Sequence, residues 1–203
     1  MRTVEFEGET VTPGKVVCVG KNYVAHIEEM QSPVPEQMVV FIKPNTAIGD
    51  RLRASAGEPL HYEGEICLLI RDDVIRGIGF GLDLTKRATQ STLKEAGLPW
   101  ERSKAFDGAA LFSQFVPAPE SLTNVVLELW VDGELRQRGG VDLMMYRPAT
   151  ILNEIHTFIT LDDNDIVMTG TPAGVGEIKP GEHFEGRLLD GDRELVSVGW
   201  IAE

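Results

Sequence analysis

Residues 61–70, HYEGEICLLI, leave this chain few ways to fold. Side chains alternate across a strand, so Glu63, Glu65, Cys67 and Leu69 share one face, and Gly64, Ile66, Leu68 and Ile70 take the other. Both faces turn apolar after Glu65, which describes a strand covered on both sides. Two carboxylates stand at its head. A buried carboxylate costs several kcal/mol unless it is paired, hydrogen-bonded or neutralised, and a like charge nearby adds to the cost. The segment therefore demands a cation between Glu63 and Glu65, or water at that end of the strand.

Other strand candidates surround this one: KVVCVG near Val16, MVVFIKP near Val40, GIGFGLDL, NVVLELWVDG, DIVMTG, EHFEGRLLD and ELVSVGWIA. Asp132-Gly133 and Asp190-Gly191 mark two hairpins. Helices are fewer. NYVAHIEEM reads as a short one, and LTKRATQSTLKEAG as another with Gly97 at C′. A third starts near Pro148 and sets Ile151, Leu152, Ile155 and Phe158 on one stripe. Regular strand–helix alternation is missing, so the pattern predicts a β-rich α+β fold with strands doubling back and a few peripheral helices.

A length of 203 residues suits one core better than two. With no linker-like tract, residues 1–203 read as a single domain. The 32 acidic against 19 basic residues, a formal charge of −13, argue against nucleic acid or an anionic membrane as partner. An anionic small substrate stays open if the site supplies its own cations. The start, MRTVEFEGET, has no apolar signal region, and runs such as ICLLI are too short to span a bilayer. Cys18 and Cys67 sit in apolar runs and read as reduced buried thiols, so a soluble cytoplasmic protein is expected.

Four features carry chemistry. Glu63 and Glu65 place their Cα atoms about 6.6 Å apart in a strand, within reach of one cation, although E-x-E also occurs at solvated strand ends. Asp83, where a glycine-rich strand gives way to a helix, reads as a helix cap or as a third ligand. With it the donor set is all oxygen, which suits Mg²⁺ or Mn²⁺ better than zinc and leaves about three octahedral positions open. His26 and Glu29 lie three apart on one helix face, either a solvated pair or an acid–base dyad. His61 and His183 are weaker candidates, and His156 faces away from its helix's apolar stripe. Lys104 is either a snorkelling surface lysine or a cation for a bound carboxylate. The loop MTGTPAGVG lacks the ending of a phosphate-binding loop. It is a plain turn, or a place where backbone N–H groups, as at Gly170, and the Thr171 hydroxyl approach an anionic ligand.

In order along the chain, GKNYVAHIEEM, FIKPNTAI, YEGEICLLI, GLDLTKRATQ, GLPWERSKAFD, VDGELRQ and MTGTPAGVG resemble the fumarylacetoacetate hydrolase family, most closely its short acylpyruvate hydrolase and oxaloacetate decarboxylase branch. The resemblance runs from about Lys15 to the C-terminus. It implies a mixed β-sandwich roll, a homodimer, and Mg²⁺ or Mn²⁺ held by Glu63, Glu65 and Asp83. It makes His26 and Glu29 the catalytic pair on a lid, Lys104 a substrate-binding lysine, Thr171 a partner of the substrate carboxylate and Gln90 a polar neighbour of the site. Where the family commonly has Arg-Asp this chain has Arg87-Ala88, which puts the surroundings of the site and its substrate preference in question.

The reaction expected is hydrolysis of an acylpyruvate-type 2-oxo acid through a pyruvate enolate. The alternatives are oxaloacetate decarboxylation, keto–enol tautomerisation or isomerisation of a related dienedioate, and a silent binding module.

Overall fold

The computed structural model describes residues 1–203. Its principal strands are β1 (Lys15–Gly20), β2 (Val39–Pro44), β3 (Gly64–Arg71), β4 (Val74–Asp83), β5 (Val125–Val131), β6 (Glu134–Gly140), β7 (Ile166–Met168), β8 (His183–Asp190) and β9 (Arg193–Ile201). The helices are α1 (Val24–Glu29), α2 (Arg87–Glu95), α3 (Glu101–Lys104) and α4 (Pro148–Ile155). A mixed sheet runs β4-β3-β7-β1-β2, with β7 parallel to β1 and the other pairs antiparallel. A second, antiparallel sheet runs β6-β5-β8-β9.

The opening segment is the doubly covered strand its pattern described. Ile66, Leu68 and Ile70 of β3 join Ile78 and Phe80 of β4 against Leu127, Leu129, Phe184 and Leu188 of the second sheet. Cys67 and Leu69 face the opposite way, into a smaller cluster with Val16, Cys18, Phe6 and Phe115. Each fully buried aliphatic or aromatic side chain contributes roughly 1.5–3 kcal/mol, so β3 anchors two cores at once.

The β3–β4 hairpin decides where the site forms. Its turn, Asp72 (φ 51°) and Asp73 (φ 61°), holds two non-glycine residues at positive φ, as a type I′ turn requires. No Asn-Gly or Asp-Gly signal announced it. The register sets Glu65 opposite Gly81 and lets the Asp83 N–H donate to the Glu63 carbonyl at 2.8 Å. Opposed residues share a face, so Asp83, two beyond Gly81, points the same way as Glu65. The glycines of this face of β4 serve close approach: a Cβ at Gly81 would stand 2.5 Å from Cys67 Sγ, and one at Gly79 3.1 Å from the Phe115 ring.

The expected hairpins form. Asp132 (φ 50°) and Gly133 (φ 78°) make the first turn, while Gly191 (φ 60°) opens the second. Helix α2 starts later than its pattern suggested, because Thr85–Lys86 extend to pair with Leu60–His61. Gly97 (φ 64°) does close it as C′. Helix α4 buries Ile151 and Ile155, with Leu152 packed against the core, but it ends before Phe158, which is 57% exposed. Helix α3 was not foreseen. No helix is long and apolar enough to cross a membrane.

Candidate metal centre and active-site pocket

Glu63, Glu65 and Asp83 meet as the hairpin register dictates, with one carboxylate oxygen of each within 4.8 Å of the others. All three are buried. Asp83 is the last residue of β4 and caps nothing; the N-terminus of α2 is held by Glu58, which accepts the Thr89 N–H at 3.2 Å and the Thr89 hydroxyl.

Cations surround the triad. Lys104, at the end of α3, donates to Glu63 Oε2 and Asp83 Oδ2 at 2.7 Å each and to Thr85 Oγ1 at 2.6 Å. Arg87, the first residue of α2, reaches Glu63 Oε1 at 2.6 Å and Gln90 Oε1 at 2.8 Å. Lys43, fully buried on β2, lies 2.7 Å from Asp83 Oδ1 and donates to the carbonyls of Lys104 and Ala109. Sequence reading missed Lys43 and the role of Arg87. The signal for Lys43 was a lysine inside the apolar strand VVFIKP, where a snorkelling head has no route to water.

The environment splits the two glutamates. Burial opposes ionisation of Glu63, but Lys104 and Arg87 outweigh it and hold its carboxyl well below the usual range. Burial, then the charges of Asp83 and Glu63, push Glu65 well up. Burial also opposes the Lys104 ammonium, yet Asp83 and Glu63 raise it.

Helix α1 lies over this floor and buries His26 and Ile27. His26 Nδ1 is 3.2 Å from Glu29 Oε2, the pairing that their spacing predicted. Glu29 Oε1 accepts the Gly174 N–H at 2.9 Å, so the same side chain fastens the helix to the glycine loop. At the helix's foot, Asn22 donates to the carbonyls of Tyr146 and Thr169 and accepts the Tyr146 N–H. Asn22 was another residue that the sequence reading passed over.

The glycine loop works differently from its expectation. The Gly170 N–H goes to Glu65 Oε2 at 2.6 Å, so it orients a carboxylate of the protein and does not line the pocket. Gly170 (φ 99°) also packs so close to Asn22 that a Cβ would stand 2.8 Å from the asparagine Cβ. Thr171 lines the pocket, with its hydroxyl donating to the Gly64 carbonyl at 2.9 Å and facing Gln137 Nε2 at 2.8 Å. Buried Gln137 also accepts the Gly64 N–H at 2.8 Å and so ties this loop to the head of β3.

His26, Glu63, Glu65, Asp83, Gln90, Lys104 and Thr171 all border one pocket, with about 480 Å³ of empty space. Glu29 stands behind His26. Lys21, Arg87, Lys94 and Lys104 supply four cations to the walls against three carboxylates, in a chain of net charge −13. Phe41 and Trp100 form an aromatic side, their centroids 5.8 Å apart. His61 is half-buried on the short strand Leu60–Tyr62, and His156 reaches Asp73 at 3.1 Å on the surface; neither borders the pocket. Ala88 is exposed in the first turn of α2 and faces no part of the site, so its substitution for an acid leaves the pocket walls unchanged.

The residues fit a hard divalent cation. Three carboxylates converge, Asp83 Oδ1 receives no aligned hydrogen-bond donor, and Glu65 engages only its Oε2. An all-oxygen set of this charge matches Mg²⁺ or Mn²⁺.

Comparison with known proteins agrees with this geometry. Residues 15–200 match the family described as fumarylacetoacetate (FAA) hydrolase C-terminal. Oxaloacetate tautomerase YcgM of Escherichia coli is 41% identical over 198 residues, covering 86% of this chain and 90% of that protein. The mouse mitochondrial oxaloacetate tautomerase FAHD1 is 36% identical over 187 residues, covering 84% and 85%. Among solved structures, fumarylpyruvate hydrolase from Pseudomonas aeruginosa in complex with Mn²⁺ and pyruvate superposes with a TM-score of 0.87 at 32% identity, covering 99% and 95% of the two chains.

Proposed function

Since the chain belongs to the fumarylacetoacetate hydrolase family, we propose that it is a Mg²⁺- or Mn²⁺-dependent tautomerase that interconverts the keto and enol forms of oxaloacetate or a closely related 2-oxo acid. The observation that carries the reading is the His26–Glu29 pair set over the Glu63, Glu65 and Asp83 carboxylates in one pocket. The acylpyruvate hydrolysis expected from the sequence takes second place, because the relatives' names describe proton transfer.

Tautomerisation moves one proton between C3 and the oxygen on C2, so it needs a base that can return what it takes. The Glu29 carboxylate accepts from His26 Nδ1–H, which leaves the Nε2 lone pair for the substrate. A bound Mg²⁺ or Mn²⁺ supplies Lewis-acid stabilisation of developing enolate charge. Lys104 and Arg87 keep Glu63 ionised as a ligand, and the Gly170 N–H fixes the orientation of Glu65. Gln90 and Thr171 border the space where the substrate lies. The Glu29–Gly174 contact fastens α1 beside the carboxylates.

Hydrolysis remains the second reading on a specific ground: a fumarylpyruvate hydrolase shares the fold closely. One assay separates them. Purified protein receives enol oxaloacetate and, separately, acetylpyruvate, each with Mg²⁺ and with EDTA. Metal-dependent loss of enol absorbance without CO₂ is the expected result. Pyruvate plus acetate from acetylpyruvate would establish hydrolysis instead, and CO₂ release above the metal-only rate would establish decarboxylation. The same reading carries a single catalytic domain and a homodimer, the latter checked by sedimentation velocity.

A further inference from the structure

Helix α2 turns Arg87, Gln90 and Lys94 toward the pocket, spaced three and four residues apart on one face. Arg87 is occupied by Glu63 and Gln90, and Lys104 by Glu63, Asp83 and Thr85. Lys21, also on the wall, reaches the Pro33 carbonyl at 3.3 Å. Lys94 has neither a carboxylate nor a carbonyl partner. Its ammonium lies 4.8 Å from the Trp100 ring centroid, Trp100 packs on Phe41, and Lys104 stands 5.5 Å from the Phe41 centroid. An aromatic wall therefore leads from the carboxylate floor to a free cation at the mouth.

We propose that Lys94 is a specificity-determining residue that binds the second carboxylate of the substrate and so selects 2-oxo dicarboxylates over 2-oxo monocarboxylates. The proposal rests on the reading of this site as one for 2-oxo acids and extends it to which of them enter. A 2-oxo acid whose 2-oxo carboxylate end meets the divalent ion that Glu63, Glu65 and Asp83 would hold, and which lies along Phe41 and Trp100, would bring its far end to Lys94. The charge balance points the same way. The walls carry four cations against three carboxylates, and a divalent ion raises that excess from one to three, which a dianion lowers to one and a monoanion only to two. Burial and then the nearby Arg87 charge push the Lys94 ammonium down to about 8, outweighing the pull of Glu63.

The rival account is a lysine whose stem and charge merely pack on Trp100. Calorimetric titration of the Mn²⁺-loaded protein separates the two with a pair of unreactive probes, N-oxalylglycine and its glycine methyl ester, which differ only in the distal charge. Wild type is expected to bind the diacid about tenfold more tightly than the ester, the scale of one charge-assisted hydrogen bond. Lys94→Met is expected to remove that advantage and leave ester affinity unchanged, and Lys94→Arg to keep it. Equal loss of both probes in Lys94→Met, or no change in either, overturns the proposal. Neither probe turns over, so absent tautomerase activity leaves the Lys94 result standing. Failure of both probes to bind wild type overturns the 2-oxo acid reading along with it.

Discussion

The Glu29 carboxylate ties helix α1 to Gly174, its Oε1 accepting the Gly174 N–H at 2.9 Å while Oε2 stays 3.2 Å from His26 Nδ1. On the proposed reading, one side chain couples the position of α1 to the orientation of the base. Glutamine at 29 keeps an acceptor for Gly174 but gives up the charge beside the imidazole. We expect Glu29→Gln to lower kcat about 10²-fold with α1 still held, and Glu29→Ala to lower it further and expose α1. Steady-state kinetics with limited proteolysis of the segment around α1 check both halves. Equal protection of Glu29→Ala and wild type would show that the Gly174 bond does not hold α1.

The latch also depends on Gly174 itself. It sits at φ 102°, and a Cβ there would stand 1.9 Å from the Arg136 carbonyl oxygen. Gly174→Ala must shift the loop, so it should lower kcat by at least tenfold with a smaller effect on metal affinity, because Glu65 and Asp83 lie on the β3–β4 hairpin and Glu63 directly precedes it. Kinetics with Mn²⁺ titration separate these effects.

Metal affinity should rise with pH, and Glu65 sets the window. Its carboxyl is pushed up by burial and by Asp83 and Glu63, so the metal-free folded chain holds a proton there that the unfolded chain has released. Below that raised value a divalent cation must displace the proton, at about 1.4 kcal/mol per pH unit. Glu63 is held low by Lys104 and Arg87 and stays ionised across this range. The stability contribution of Glu65 in the metal-free protein is therefore lost as pH rises above the ordinary glutamate value, and Mg²⁺ relieves that loss. The Mg²⁺-induced rise in Tm should be larger near pH 8 than near pH 5.5; a pH-independent rise would remove Glu65 from the ligand set.

Lys43 offers a test that does not involve catalysis. Its side chain is fully buried beside Asp83 Oδ1 at 2.7 Å. Lys43→Met leaves a buried carboxylate short of one cation, and such one-sided losses cost about 3–5 kcal/mol. Urea denaturation with EDTA should show that loss, and saturating Mn²⁺ should recover part of it by supplying positive charge to the same carboxylate.

Ala88→Asp should leave activity within about twofold of wild type. Position 88 is exposed and faces away from the pocket, and Glu58 already serves the helix N-terminus. Added stability should stay within about 1 kcal/mol, as a first-turn acid at a helix N-terminus supplies. A marked change in substrate preference would show that the residue reaches the site after all.

Elements with local signals were legible in the chain. The apolar run after Glu65, the Asp132-Gly133 turn and the Pro148 helix each announce themselves within a few residues, because strand period, turn chemistry and helix caps are short-range properties. Short-range logic also paired His26 with Glu29. It also missed locally where the usual signals were absent or misleading. Phe158 fits a stripe that the helix never reaches, and the turn at Asp72-Asp73 carries no glycine.

The sequence by itself determined that two carboxylates head a buried strand and that a cation must answer them. Which cations do so was decided only by the tertiary structure. Lys43, Arg87 and Lys104 converge from β2, α2 and α3, and Asp83 arrives through the register of β3 against β4. A lysine, an arginine and an aspartate look the same in sequence whether they face water or one another. Only packing, by excluding water and fixing distances near 2.7 Å, turns them into one site of paired charges, with Lys94 left beside Trp100 on its wall.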